Sequence, residues 1–348
     1  MRPPDIARVS GIVLSVLLVA PLLMPSVASA SPDDSPDDEA PVLDAPKMGG
    51  LPDLGALGDH IRALLAAPDL TPVVGAWAEA PVWSGVEPPT VTASAVAVLD
   101  EASMSLLAAR DEHERRAPAS LTKIVTAILA VESGQLDEIV RNDVESWAMP
   151  GSSLMGLHPG DEFTLRDLTY GLMLRSGNDA ALSIGRHLAD YDGIFVYWMN
   201  SLADQLELSD THFIDPHGLG GHGHYSSAYD LALLARYAMQ SPEFATIASA
   251  STWTTTGTNE IAMTNYVIPF LDGYPGGEGM KTGYTVEAGP TFVASAVRDG
   301  HRIYVVLLNT SDRFGEATAL LDWAFENHAW PGAPTTFKGM AAQTDAAD

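Results

Sequence analysis

The chain has 348 residues, 46% of them hydrophobic and 18% charged, enough apolar material for a sizeable core and too much for wholesale disorder. Its 45 Asp and Glu against 18 Lys and Arg give a net charge of -27, which repels nucleic-acid phosphates and anionic lipid surfaces and excludes both as expected partners. There is no cysteine, so thiol nucleophiles, iron–sulfur clusters, Cys-ligated zinc and disulfides are excluded together.

In chain order, the first element is a targeting segment. Arg2 and Arg8 precede an apolar run from Gly11 to Leu23, and Ala28-Ser29-Ala30 supplies a small-residue cleavage site. Residues 1–30 are therefore expected to be a signal peptide cleaved after Ala30; the run is short for an uncleaved membrane span of about 20 residues. Residues 31–90 read as an acidic, proline-rich linker. Ser31 to Glu39 is self-repelling and cannot bury a core. Leu51, Leu54, Leu57, Ile61, Leu64 and Leu65 suggest a short helix within it, and Pro68 to Pro89 reads as irregular.

A folded domain is expected over 91–328. Ala95–Leu99 and Met104–Ala108 read as strands joined at Asp100-Glu101. Ser120–Glu132 reads as a helix ended by Gly134, followed by helical patterns over 165–189 and 228–239. Thr291–Val297 and Arg302–Leu308 read as a hairpin about the Asp299-Gly300 turn, and Glu316–Phe325 as a closing helix. Strands at both ends with helices between predict an α+β domain whose sheet is assembled from the two ends. Residues 329–348 read as a polar C-terminal tail.

Three short segments can carry chemistry. Ser120 and Lys123 lie three apart at a helix start, on one face and within mutual reach. A serine hydroxyl needs a base to take its proton, and lysine serves only if burial, a helix N-terminus or a second cation lowers its pKa from about 10.4. With four lysines, such a spacing arises by chance in roughly one chain in four, so alone it says little. Ser176-Gly177-Asn178 follows a helical pattern; its hydroxyl and amide suit a proton relay and a substrate carbonyl, or simple helix capping. Lys281-Thr282-Gly283 is expected by chance in about 2% of such chains, and a Lys and Thr on a strand edge suit a carboxylate. His217, His222 and His224 sit in a glycine-rich stretch. No carboxylate or cysteine spacing supports a metal there, so no metal site is expected, and the stretch reads as a flexible loop with exposed imidazoles.

All three segments in this order, S-x-x-K, S-x-N and K-T-G, resemble the set of the penicillin-binding proteins and class A β-lactamases. The surroundings resemble the serine-type D-alanyl-D-alanine carboxypeptidases, the low-molecular-mass penicillin-binding proteins. Pro118-Ala119-Ser120-Leu121-Thr122-Lys123 is similar to their nucleophile segment. Leu157-His158-Pro159-Gly160-Asp161, Thr164-Leu165-Arg166-Asp167-Leu168, Ser176-Gly177-Asn178-Asp179-Ala180 and Phe213-Ile214-Asp215-Pro216-His217-Gly218-Leu219 are similar to later segments. Ser227-Ala228-Tyr229-Asp230-Leu231, Lys281-Thr282-Gly283-Tyr284-Thr285 and Ala288-Gly289 complete the series, so the resemblance covers residues 91–328.

The resemblance implies a transpeptidase-type α+β fold, an antiparallel sheet flanked by helices with a mostly helical subdomain. It implies a secreted D,D-carboxypeptidase of the cell envelope that removes the terminal D-Ala from peptidoglycan stem peptides, with no cofactor and with β-lactams as inhibitors. Ser120 would be acylated and Lys123 would be its base. Ser176, Asn178 and Lys281 would serve the relay and the substrate amide. Thr282, Thr285 and Arg313 would hold the terminal carboxylate, and the backbone N–H groups of Ser120 and Tyr284, beside Gly283, would form the oxyanion hole. Many relatives continue into a second β domain and an amphipathic membrane helix; the polar tail here suggests no stable anchor once the leader is removed. The alternatives are a β-lactamase, for which no E-x-x-L-N-like segment is found between Ser176 and Lys281, a D,D-endopeptidase or transpeptidase, and a non-catalytic wall-binding protein.

Overall fold

The computed structural model describes residues 78–331. The leader, the acidic stretch, the helix suggested over 51–65 and most of the polar tail lie outside the described residues.

The centre is an antiparallel 5-stranded sheet of order β3-β2-β10-β9-β8. Its strands are β2 (Ala95–Asp100), β3 (Leu106–Arg110), β8 (Gly277–Thr285), β9 (Gly289–Arg298) and β10 (His301–Leu308). The expected assembly from both ends is what forms: Leu308 pairs with Ala95 and Ile303 with Asp100. Side chains alternate between two buried faces. Ala95, Ala97, Leu99, Tyr304, Val306 and Leu308 enter one core, while Val96, Val98, Ile303, Val305 and Leu307 enter the other. That is why both strands read as unbroken apolar runs instead of a polar–apolar alternation. The β9–β10 turn has Asp299 at φ 52 and Gly300 at φ 81, the two positive values that a two-residue hairpin of native twist requires.

Helices cover both faces. On the larger core pack α1 (Lys123–Glu132), α2 (Leu165–Leu174), α3 (Asn178–Ala189), α4 (Asp192–Gln205), α5 (Ala228–Met239) and α6 (Pro242–Ser249). A short α7 (Ile268–Leu271) and the long α8 (Arg313–Asn327) serve the smaller core. Thr164 starts α2 with a reciprocal capping box to Asp167, and Ser227, Ser241 and Asp312 cap α5, α6 and α8. Two-stranded pairs complete the domain: β1 (Val82–Trp83) with β11 (His328–Ala329), β4 (Ile139–Arg141) with β5 (Glu162–Thr164), and β6 (Thr252–Thr254) with β7 (Ala262–Thr264).

Two expectations need correction. The helix expected from Ser120 begins as a 3-10 turn over Ala119–Thr122, and the α-helix starts only at Lys123. The second strand begins at Leu106, not Met104, because Asp100 closes a wider loop by accepting from the Ser103 N–H at 2.9 Å and its hydroxyl at 2.6 Å. Strand β8 starts at Gly277, so Lys281-Thr282-Gly283 lies within the sheet's edge strand.

Candidate active site

The nucleophile candidate is placed by a strained turn. Ala119 holds φ 52, a left-handed conformation that costs a non-glycine residue about 1 kcal/mol or more and persists only where neighbours enforce it. The turn lifts Ser120 onto the wall of a cleft while Thr122 and Lys123 point into the core. Lys123 is fully buried, and its Nζ donates to Ser120 Oγ at 3.0 Å, Asn178 Oδ1 at 2.6 Å and the His217 carbonyl at 2.5 Å. Burial first, and the Lys281 charge second, hold its pKa well below the ordinary lysine value; Asp215 and Asp179 oppose this. An amine so placed can hold or accept a proton from Ser120 Oγ.

The second wall comes from the α2–α3 junction. Ser176 also has a left-handed backbone, at φ 57, and lines the cleft with Asn178 at the start of α3. Asp179, next in sequence, is wholly buried. It accepts from the backbone N–H groups of Met155 at 2.8 Å, Gly156 at 2.8 Å and Leu157 at 3.1 Å and from Ser146 Oγ at 2.6 Å. It thereby ties the segment carrying Ser152 and Ser153, which line the same cleft, to the helix carrying Asn178.

The third wall is β8. Thr282, Gly283, Tyr284 and Thr285 line the cleft, with Arg313 at the first turn of α8. A Cβ on Gly283 would lie 2.4 Å from Thr291 Oγ1 and 3.0 Å from the Ser120 nitrogen, so only glycine lets this strand pass the nucleophile turn so closely. Lys281 is buried beneath and donates to the Thr282 carbonyl at 3.0 Å; burial, then Arg313, lower its pKa to about 7.

The cleft has a volume of about 460 Å³. Eight of the ten residues expected at the site line the cleft, and the two buried lysines stand behind them, Lys123 hydrogen-bonded to Ser120 and Asn178 and Lys281 to the Thr282 carbonyl. The sequence reading missed Asp179 as an organiser, although an Asp in the first turn of α3 was visible. It also missed Tyr266 and Val286 on the rim, which carry no sequence signal, and did not single out Leu219 within its family-like segment. The stretch expected to be a loop of exposed imidazoles is corrected in part: His222 is exposed, but His224 is buried because it packs under Thr122.

Similarity to known proteins agrees with this geometry. Residues 83–312 match the family described as D-alanyl-D-alanine carboxypeptidase. The chain is 37% identical over 283 residues to D-alanyl-D-alanine carboxypeptidase DacD of Salmonella typhimurium, covering 77% of this chain and 71% of that one. It is 36% identical over 260 residues to a D-alanyl-D-alanine carboxypeptidase of Mycobacterium tuberculosis, covering 72% and 88%. Among solved structures, the Streptomyces K15 DD-transpeptidase superposes with a TM-score of 0.66 at 28% identity, covering 69% of this chain and 99% of that one. Penicillin binding protein 6B from Escherichia coli gives 0.65 at 36% identity, covering 71% and 81%. The fold is thus the α+β fold of the penicillin-binding proteins. The chain belongs to the D-alanyl-D-alanine carboxypeptidase family of serine peptidases. It spans 65% of the length of the Escherichia coli DacD relative.

Proposed function

We propose that this protein is a D,D-carboxypeptidase that removes the terminal D-Ala of peptidoglycan stem peptides through an acyl-enzyme on Ser120. The observation that carries this reading is the contact of a buried, pKa-lowered Lys123 with Ser120 Oγ at 3.0 Å. Neutral Lys123 takes the hydroxyl proton as Oγ attacks the penultimate D-Ala carbonyl. The backbone N–H groups of Ser120 and Tyr284 stabilise the oxyanion, a contribution of about 3 kcal/mol for one such donor. The C–N bond then breaks, the leaving amine takes up the proton through Lys123 and Ser176, and D-Ala departs. Water hydrolyses the ester by the same route in reverse. Asn178 holds the substrate amide, and Thr282, Thr285 and Arg313 hold the terminal carboxylate. A β-lactam enters as a mimic of the dipeptide and stays on Ser120.

Fluorescent penicillin is expected to label Ser120, and a pentapeptide stem is expected to lose one D-Ala by mass spectrometry. A label on another residue, or an equally labelled Ser120→Ala variant, overturns the assignment. Against the β-lactamase reading, no Asp or Glu is among the described residues lining the cleft, so the carboxylate base that class A enzymes use against a penicilloyl ester has no counterpart there. Bound penicillin should therefore leave slowly while the peptide turns over. Rapid penicillin hydrolysis without D-Ala release would make the β-lactamase reading correct.

The envelope location rests on residues 1–30 as an export signal. A mature N-terminus at Ser31, in protein released without detergent, is the expected result of N-terminal sequencing after fractionation; an intact Met1 in a detergent-requiring fraction contradicts it.

A further inference from the structure

Behind the nucleophile turn lies a buried hydrogen-bond chain in which each group has a single consistent role. The Ile214 backbone N–H donates to His224 Nδ1 at 3.2 Å. That nitrogen is therefore the acceptor of a neutral ring, and the proton sits on Nε2. Nε2 in turn donates to Thr122 Oγ1 at 2.8 Å, and Thr122 Oγ1 donates to the Ala119 carbonyl at 2.8 Å. The chain thus ends on the residue immediately before Ser120, the one held at φ 52. Gly218, from the same loop, presses on that carbonyl so closely that a Cβ would lie 1.9 Å from its oxygen. The loop also reaches the other partner: His217 offers its carbonyl to Lys123 Nζ. Asp215 keeps the loop folded by accepting from the N–H groups of His217 at 2.9 Å, Gly218 at 2.5 Å and Gly220 at 2.8 Å.

We propose that His224 is a positioning residue for acyl transfer: through Thr122 it fixes the left-handed Ala119 turn and so sets how Ser120 faces Lys123. The proposal rests on the acyl-enzyme reading above. A left-handed alanine is unfavourable by itself, and the fixed carbonyl of Ala119 is what prevents the turn from relaxing. Relaxation would move Ser120 Oγ away from the amine, and displacements of about 1 Å in such pairs cost about a hundredfold in rate.

The experiment measures the limiting rate and apparent affinity of penicillin acylation for wild type, His224→Leu, His224→Gln, Thr122→Val and Thr122→Ser, with thermal midpoints in parallel. A glutamine amide can accept from Ile214 and donate to Thr122, whereas leucine can do neither. The Leu and Val variants are expected to lose about a hundredfold in limiting rate with affinity little changed. The Gln and Ser variants are expected to recover to within about fivefold of wild type, since each restores the hydrogen bonds. A role in folding alone would lower midpoints without this rank order. Wild-type limiting rates in folded His224→Leu and Thr122→Val overturn the proposal, as does a His224→Gln variant as slow as His224→Leu. If His224→Leu does not fold, the Thr122 pair decides. A wild-type protein that takes no label overturns the acyl-transfer reading itself, a result separable from all of these.

Discussion

In the proposed mechanism Lys123 concentrates the proton transfer in one amine. Its three contacts leave no room for a larger head group, and a guanidinium keeps its proton at neutral pH. Lys123→Arg is therefore expected to abolish penicillin labelling and to lower the thermal midpoint, because the buried site must take a larger, permanently charged group, while circular dichroism shows that the fold survives. Labelling at wild-type rates would refute the base role. Lys281 supplies the second-largest influence holding Lys123 down. Replacing it with Met removes that charge, so Lys123 would keep its proton to higher pH. The acidic limb of the acylation pH profile is expected to move upward, whatever happens to its amplitude.

His224 gives a stability test with a definite sign. Burial is the main cause holding its pKa at about 4, below the unfolded value of about 6.5; the charges facing it are Asp215, which raises it, and His217, His212 and Lys123, which lower it. Between these values the unfolded chain binds a proton that the folded one refuses. Stability is therefore complete above about pH 6.5 and falls by about 3 kcal/mol as the pH drops to 4. Denaturant unfolding of wild type and His224→Gln at pH 7 and 4.5 should show a smaller acid loss in the variant. The candidate residues Ser120, Lys123, Ser176, Asn178 and Lys281 stand out in the sequence because they sit in short motifs whose spacing is local. The sequence concealed His224, because a Gly- and His-rich run has the composition of a surface loop, and the ring is buried by folding against Phe213 and the distant Thr122.

At the scale of elements, the site depends on how closely β8 approaches the 3-10 turn. Gly283→Ala would force a Cβ against Thr291 Oγ1 and the Ser120 nitrogen. Acylation is expected to fall by about a hundredfold, the cost of displacing one oxyanion donor, with the sheet intact by circular dichroism. Undiminished acylation would show that the strand can withdraw without consequence. The elements themselves were legible where apolar runs or caps were strong, as in β9, β10, α2 and α5. Helix α6 was missed although Ser241 and Pro242 form a standard cap and first-turn pair. Helix α4 was missed for a better reason: Tyr197 stands exposed on its outer side, and Ile194, Val196 and Trp198 are only partly buried beside buried Phe195 and Met199, which blurs the helical period.

At the scale of the whole molecule, the second face of the sheet is closed by the residues just after β11. Trp330 donates from Nε1 to buried Asp100 Oδ1 at 2.7 Å and stacks on His301 at 4.5 Å. Trp330→Ala would open a void and strip Asp100 of a donor, at a cost of about 3 kcal/mol or more. The thermal midpoint should drop accordingly, while penicillin labelling per folded molecule persists because the cleft lies elsewhere. Loss of labelling in still-folded protein would show that this closure also shapes the site.

The order of the sheet has a consequence for how the protein comes into being. Ser120 and Lys281 are 161 positions apart (281 − 120), and β2, paired early with β3, finds its second neighbour only when β10 has been made. Such long-range pairing folds slowly, because loop closure must precede any gain from contact. A nascent chain that ends before residue 277 holds the serine and its amine but no β8, hence no oxyanion wall. On the proposed mechanism, acylation is therefore expected only once the last strands are in place. Fluorescent penicillin added during refolding would time that final zippering, its covalent signal appearing only as the two ends of the chain meet.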